Sequence, residues 1–411
     1  MAQKTILLIG TLDTKGVEFA YIRDLIAGRG HVPLMLDAGT GAPQWSPDIG
    51  AERVAAAGGG DLERLRAAND RAQALEVMVR GAREVALELL GEGRIDGVIG
   101  LGGSGGTAIA TSAMRALPVG LPKVMVSTMA SGDVSAYVDV KDVTMMYSVV
   151  DVAGLNRLSR RILATAAGAV CGMVEQAIPP AEDRPLLGAT MFGVTTPCVT
   201  RVRELLEAAG YEVLVFHAVG SGGRAMEALI ADGFIVGVAD VTTTEWADEI
   251  VGGTLSAGPD RLGAAARAGI PQVVSVGALD MANFAALETV PERFRQRNLY
   301  RHNPQVTLMR TTADENAAIG AAIAAKLNAA TGPVALFLPL RGVSMIDAEG
   351  MPFWSPEADA ALFDAIRTRL DRTRVDLVEL DLHVNDQAFA DAMAHRLLAM
   401  LAEGATPEPK E

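Results

Sequence analysis

Asp96-Gly97-Val98-Ile99-Gly100-Leu101-Gly102-Gly103-Ser104-Gly105-Gly106-Thr107 is the stretch that decides the fold. Val98 to Leu101 is a short apolar run and reads as a buried strand. Four glycines around Ser104 follow it, and Ala108 to Leu117 reads as a helix that opens with small residues. Strand, glycine loop and helix in this order lay backbone N–H groups around an anion at a helix N-terminus. Glycine suits the loop because a side chain would hold a phosphate off the backbone, and because such turns often need positive φ.

Upstream, Thr5 to Ile9 reads as a strand that ends in the turn Gly10 to Gly16. A helix to about Ala27 follows, then a strand from Val32 to Leu36 with Asp37 at its end. This βαβ unit predicts a parallel sheet. Ligands of such sheets sit beyond the carboxyl ends of the strands, which places Asp13, Lys15 and Asp37 near a site. Asp37 is expected either to accept from ribose hydroxyls or to cap its own turn. No GxGxxG opens this first turn, so a standard dinucleotide fold is not expected. A helix start is expected at Ser46-Pro47, and Leu62 to Leu90 is expected to be mostly helical with an interruption at Gly81.

Downstream, Lys123 to Ser127 reads as a strand ending in Thr128 to Asp133. Ser131, Gly132 and Asp133 should line the same crevice, with Asp133 holding magnesium beside a phosphate. Asp151 to Ala177 reads as one long helix whose small residues serve either packing on the first domain or a dimer contact. Pro179-Pro180 marks a linker between domains at 1–180 and 181–411.

The second half repeats the pattern, with strands at Leu187 to Gly193, Val213 to Phe216, Phe234 to Ala239, Gln272 to Val276, Val334 to Leu338 and Leu377 to Leu380. His217 stands where Asp37 stood, and Gly220-Ser221-Gly222-Gly223 opens another helix. Thr243, Thr244, Glu245, Arg341 and Ser344 fall at strand ends and are expected to bind a small acidic metabolite. The segment 41–48, ending Trp45-Ser46-Pro47-Asp48, recurs as 350–357, ending Trp354-Ser355-Pro356-Glu357. Its Ser-Pro-acid ending is helix-start chemistry. Residues 407–411 are expected to be a frayed tail. The fold class expected is α/β, with two Rossmann-like subdomains, mainly parallel sheets and a cleft between them.

Composition sets the outer bounds. The chain has 411 residues, enough for two domains, and 43 glycines between apolar runs fit many tight turns. A net charge of −14 argues against nucleic acid as a direct partner. Arg157, Arg160 and Arg161 read as a solvated helix face. Cys171 and Cys198 lack CxxC spacing and read as buried thiols in a reducing compartment. The longest uncharged run, Gly97 to Met114, is full of Gly, Ser and Thr, so no membrane span is expected. A cytoplasmic location follows from these features.

Three chemistries compete for the loop. A Walker A reading fits Gly100 to Gly105 and puts Thr107 at the magnesium position, yet Gly106 stands where lysine belongs. Lys15 is then a substitute cation from the neighbouring turn. A nucleophile elbow fits Gly102-Gly103-Ser104-Gly105-Gly106, making Ser104 the nucleophile of a serine hydrolase. That needs an acid and one of His31, His217, His302, His383 or His395. A lysine-free cradle of backbone amides binds phosphate without requiring turnover. A purely structural glycine turn is the remaining alternative.

Gly10 to Gly16, Gly102 to Thr107, the Ser127 to Asp133 turn and His383-Val384-Asn385-Asp386 together resemble the Tm-one-like ATP-binding family, uncharacterised protein family 0261. The resemblance runs over nearly the whole chain. It implies a two-subdomain α/β fold, ATP binding and a homodimer. It makes Lys15, Gly102, Gly103, Ser104, Gly105, Gly106, Thr107, Ser131, Gly132 and Asp133 the nucleotide candidates. It implies no settled reaction.

Overall fold

Alternation of β and α segments through short glycine turns builds parallel sheets, and the chain forms two of them. The computed structural model describes residues 2–181 and 183–404, so the expected tail at 407–411 lies outside the described residues. Two units result, Met1–Pro180 and Ala181–Glu411.

The first unit runs β1 (Thr5–Gly10), α1 (Leu12–Gly28), β2 (Val32–Asp37), α2 (Ala51–Ala57), α3 (Leu62–Ala68), α4 (Arg71–Gly91), β3 (Gly97–Gly102), α5 (Ser104–Ala116), β4 (Lys123–Ser127), α6 (Ser135–Val138), β5 (Thr144–Tyr147) and α7 (Arg157–Glu175). Its sheet has the order β2-β1-β3-β4-β5, with every pairing parallel. Strand side chains alternate between faces. Leu7, Ile9 and Val98 pack against α2, α4 and α5, whereas Ile6, Leu8 and Ile99 pack against α1 and α7. The sheet is therefore buried on both sides, which is why its strands read as unbroken apolar runs.

Three local readings change. The helical stretch 62–90 breaks at Asn69-Asp70 and not at Gly81. Asn69 takes the left-handed conformation at the end of α3, and the Asp70 carboxylate accepts from the N–H groups of Ala72 and Gln73 to start α4. Gly81 instead lets α2 approach, because a Cβ there would stand 1.8 Å from the Val54 carbonyl oxygen. The helix expected from Asp151 begins only at Arg157, where Asn156 and Ser159 form a capping box. Its small residues Ala166 and Ala167 join α1 in the core, so that stripe is used inside the unit. No helix starts at Ser46-Pro47; Asp48 instead accepts from the Met35 N–H and closes the segment onto β2.

The second unit runs β6 (Leu186–Met191), α8 (Thr196–Ala208), β7 (Glu212–His217), α9 (Ser221–Ala231), β8 (Ile235–Thr242), α10 (Glu245–Val251), α11 (Ala264–Ala268), β9 (Gln272–Gly277), β10 (Met281–Phe284), β11 (Leu299–Asn303), β12 (Val306–Arg310), α12 (Ala313–Asn328), β13 (Val334–Pro339), α13 (Pro356–Arg369), β14 (Val375–Leu380) and α14 (Gln387–Gly404). The order β14-β13-β9-β8-β6-β7 is again parallel throughout. His217 pairs with Met191 as Asp37 pairs with Gly10, so the two residues hold equivalent sheet positions. A separate antiparallel sheet, β10-β12-β11, escapes the sequence reading because its strands are short and β11 is mostly exposed. Among the described residues no helix is long and apolar enough to cross a membrane.

Candidate functional site

In the first sheet, β1 and β3 are neighbours, but α1 and α5 leave them toward opposite faces. Such a switch point opens a crevice at the carboxyl ends of the strands. A cavity of about 790 Å³ lies there. The β1–α1 turn from Thr11 to Lys15 forms one wall and the loop from Gly102 to Gly106 another. Residues 38–41 after β2 and the junction of α3 with α4 complete it.

The glycines of the loop divide into two kinds. Gly102 has φ +156°, and a Cβ on it would lie 3.1 Å from the Gly106 Cα. One on Gly106 would lie 3.1 Å from the Leu101 carbonyl oxygen. These two are glycine because the chain folds back on itself. Gly103 and Gly105 are different: the nearest atoms to an added Cβ are Thr128 Oγ1 at 3.8 Å and Leu75 Cδ1 at 3.9 Å. Packing does not demand glycine at either place. Gly103 is the N-cap of α5 and no side chain caps that end. The first N–H groups of a helix have no intrahelical partner, so this end carries free donors and partial positive charge toward the cavity.

Several polar groups around the loop are held by the backbone. Lys15 sits at a kink in α1, lines the cavity, and donates from Nζ to the Val152 carbonyl. Asp13 also lines the cavity; its Oδ2 accepts from the Gly41 N–H at 2.8 Å. Asp37 does not reach the cavity. Its Oδ1 accepts from Leu12 N–H at 2.9 Å and Gly39 N–H at 2.8 Å, so it fixes the turn that carries Asp13 and Lys15. Burial pushes the Asp37 carboxyl above its ordinary range, against the pull of those two N–H bonds. The ribose role expected of Asp37 is thus replaced by the capping role.

Two further expectations are corrected. Thr107 is fully buried, with Oγ1 donating to the Gly103 carbonyl at 2.8 Å and paired with Ser127 Oγ at 2.7 Å. Its hydroxyl faces β4 and not a magnesium position. Ser131, Gly132 and Asp133 do not line the cavity, and Asp133 accepts from the Ser135 N–H. Among the described residues no three His, Cys, Asp or Glu side chains gather to hold a metal.

Ser104 does line the cavity. The first unit's one histidine, His31, precedes β2 at the opposite end of the strand and pairs with Glu175 Oε1 at 2.9 Å. No histidine of this unit is therefore placed to serve Ser104.

In the second unit the expected metabolite residues are not brought together on an open surface. Thr243 and Thr244 are fully buried and donate to the carbonyls of Ser275 and Met281. Glu245 Oε1 accepts from Gly220 N–H at 2.7 Å and Gly223 N–H at 3.0 Å. Its Oε2 accepts from Arg261 Nε at 2.6 Å, and Arg261 also clasps Asp240 with both Nη atoms. Burial opposes the Arg261 cation, but Asp240, Glu245 and Glu227 outweigh it and hold its pKa well above the ordinary value. Ser344 donates to Asp280 at 2.8 Å in the interior, whereas Arg341 forms an exposed pair with Asp381. Polar strand ends here are internal fastenings.

Sequence reasoning missed the fourth wall: Arg66, Asn69, Asp70, Arg71, Ala74 and Leu75. The signal was present, since Asn69-Asp70 inside a helical run is a stop followed by an N-cap.

Comparison with known proteins places these features in a family. Residues 4–179 match the uncharacterised protein family (UPF0261) N-terminal domain, and residues 184–401 match its C-terminal domain. A UPF0261 protein of Clostridium tetani is 54% identical over 97% of this chain and 99% of its own length. The ToMV susceptible protein tm-1(GCR26) of Solanum lycopersicum is 45% identical over 80% of this chain, which spans 45% of that protein. The solved UDP-N-acetylglucosamine 2-epimerase of Rickettsia bellii overlaps 98% of this chain and 97% of its own at 10% identity and TM-score 0.24, too low to carry an argument.

Proposed function

Starting from the premise that the chain belongs to uncharacterised protein family UPF0261, we propose that its first unit binds a nucleotide by its phosphates, ATP being the first candidate. One observation carries this reading. Gly103 and Gly105 leave an uncapped helix N-terminus bare toward a cavity of about 790 Å³, at the switch point of a parallel sheet. Leu75 and Ile109 supply an apolar wall beside the polar loop, as a base with a phosphate tail requires. Asp13 is bonded to the Gly41 N–H, Asp37 to those of Leu12 and Gly39, and Asp70 to those of Ala72 and Gln73, so these three acids support loops and helix starts. The loop amides bind and orient the phosphate; no step of turnover is derived from them. A homodimer, implied by the resemblance, is a second part of the reading, and light scattering tests it.

Titration calorimetry of ATP into the natural protein and Gly103→Val tests the first part. A valine there meets no protein atom closer than 3.8 Å at its Cβ, so the fold should hold while the amides are covered. We expect at least a thirtyfold loss of affinity, about 2 kcal/mol, as charge-assisted contacts are removed. Equal affinity in the two proteins would sink the proposal.

A further inference from the structure

The loop carries no lysine, since Gly106 stands in its place, yet a polyphosphate has more charge than one helix end neutralises. Three cations line the cavity: Lys15, Arg66 and Arg71. Lys15 is bonded to the Val152 carbonyl. Arg66 is held by the Thr40 and Gly41 carbonyls and pairs with Glu63 at 2.8 Å. Arg71 has no hydrogen-bond or ion-pair partner among the described residues. It is exposed and begins α4 directly after the Asp70 cap.

Helix geometry aims it. Arg71 and Leu75 are four residues apart and share one face of α4. Leu75 Cδ1 lies 3.9 Å from where a Gly105 Cβ would stand, so that face looks at the loop. Arg71 stands one helical turn before Leu75 on that face and lines the same cavity as the loop. We propose that Arg71 reads the terminal phosphate of a nucleoside triphosphate and so sets the preference for triphosphate over diphosphate. The proposal rests on the nucleotide reading above. The β-phosphate sits on the amides of α5 in ATP and ADP alike, and the γ-phosphate, present only in ATP, meets the planar donor fork of Arg71 across the cavity. Arg71 is a specificity-determining residue here and not a catalytic one.

Calorimetry with ATP and ADP on the natural protein, Arg71→Lys and Arg71→Gln tests this. Arg71→Gln should lose about tenfold in ATP affinity while ADP changes less than about twofold, as expected for one lost charge-assisted contact. Arg71→Lys should fall between them. Thermal melts should be superimposable, because the side chain is exposed and unpaired. An unchanged ATP-to-ADP ratio in Arg71→Gln overturns the inference while leaving nucleotide binding intact. If the natural protein binds neither nucleotide, the nucleotide reading falls and this inference falls with it.

Discussion

The two parallel sheets share a strand order, and each carries a helix opened by glycines, α5 after β3 and α9 after β7, whose ends are treated in opposite ways. In the first unit the N-terminus of α5 faces a cavity, and Gly103 and Gly105 have no protein atom within 3.7 Å of a would-be Cβ, the closest being 3.8 Å and 3.9 Å away. In the second unit the N-terminus of α9 is already satisfied, because Glu245 from the start of α10 accepts from Gly220 and Gly223. A Cβ on Gly223 would lie 2.2 Å from Glu245 Oε2. One glycine loop leaves its helix end bare toward a cavity, and the other makes room for the protein's own carboxylate. Similar glycine chemistry thus ends in open space in one place and in cohesion in the other, and the position of a single carboxylate separates them.

Removing that carboxylate is the strongest way to break the comparison. Glu245→Ala leaves Arg261 short of a partner and two amides unpaired, and should lower stability by about 3–5 kcal/mol in chemical denaturation. Added inorganic phosphate should recover part of the loss if the vacated site behaves like the first unit's loop. No change on adding phosphate would show that the two helix ends are not equivalent.

The glycines themselves sharpen the contrast. Gly223→Ala forces Glu245 aside and should cost about 1–3 kcal/mol. Gly103→Ala meets nothing closer than 3.8 Å and should cost under about 1 kcal/mol. Equal losses in the two variants would mean that Gly103 is as structural as Gly223.

The smallest effect is a pH dependence belonging to the second unit. Burial raises the carboxyls of Asp248 and Asp359 to about 7, with Asp347 adding to the second. The folded state then holds protons that the unfolded chain has released. Stability from these groups is complete below their unfolded pKa and is lost as pH rises through about 7. Calorimetric melts should show the second unit melting higher at pH 6 than at pH 8. A flat profile would mean that both acids stay ionised in the fold.

Much of the architecture was legible in residues alone. Val98 to Leu101 and the glycines after it fix a strand, a loop and a helix, because burial on both faces leaves an uninterrupted apolar run. The position of the glycine loop on the cavity wall was legible, but the partners of the side chains around it were not. Asp37, Thr107 and Asp133 all stand at strand ends, yet each is spoken for by a neighbour: Leu12 and Gly39, Ser127, and Ser135. Spacing shows which end of a sheet a residue occupies. It does not show whether a backbone N–H has already claimed the oxygen. The second unit makes the same point, since Thr243, Thr244 and Glu245 look open in sequence and are sealed in the fold. The wall from Arg66 to Leu75 was missed because a long helical pattern hid its seam.

That seam separates two tasks along the chain. Residues 102–106 are shaped by a strand end in the middle of the sheet, whereas the facing wall depends on where α3 stops and α4 begins. A chain built this way can reshape one wall of its cavity by altering residues 66–75 and leave the glycine loop beneath untouched.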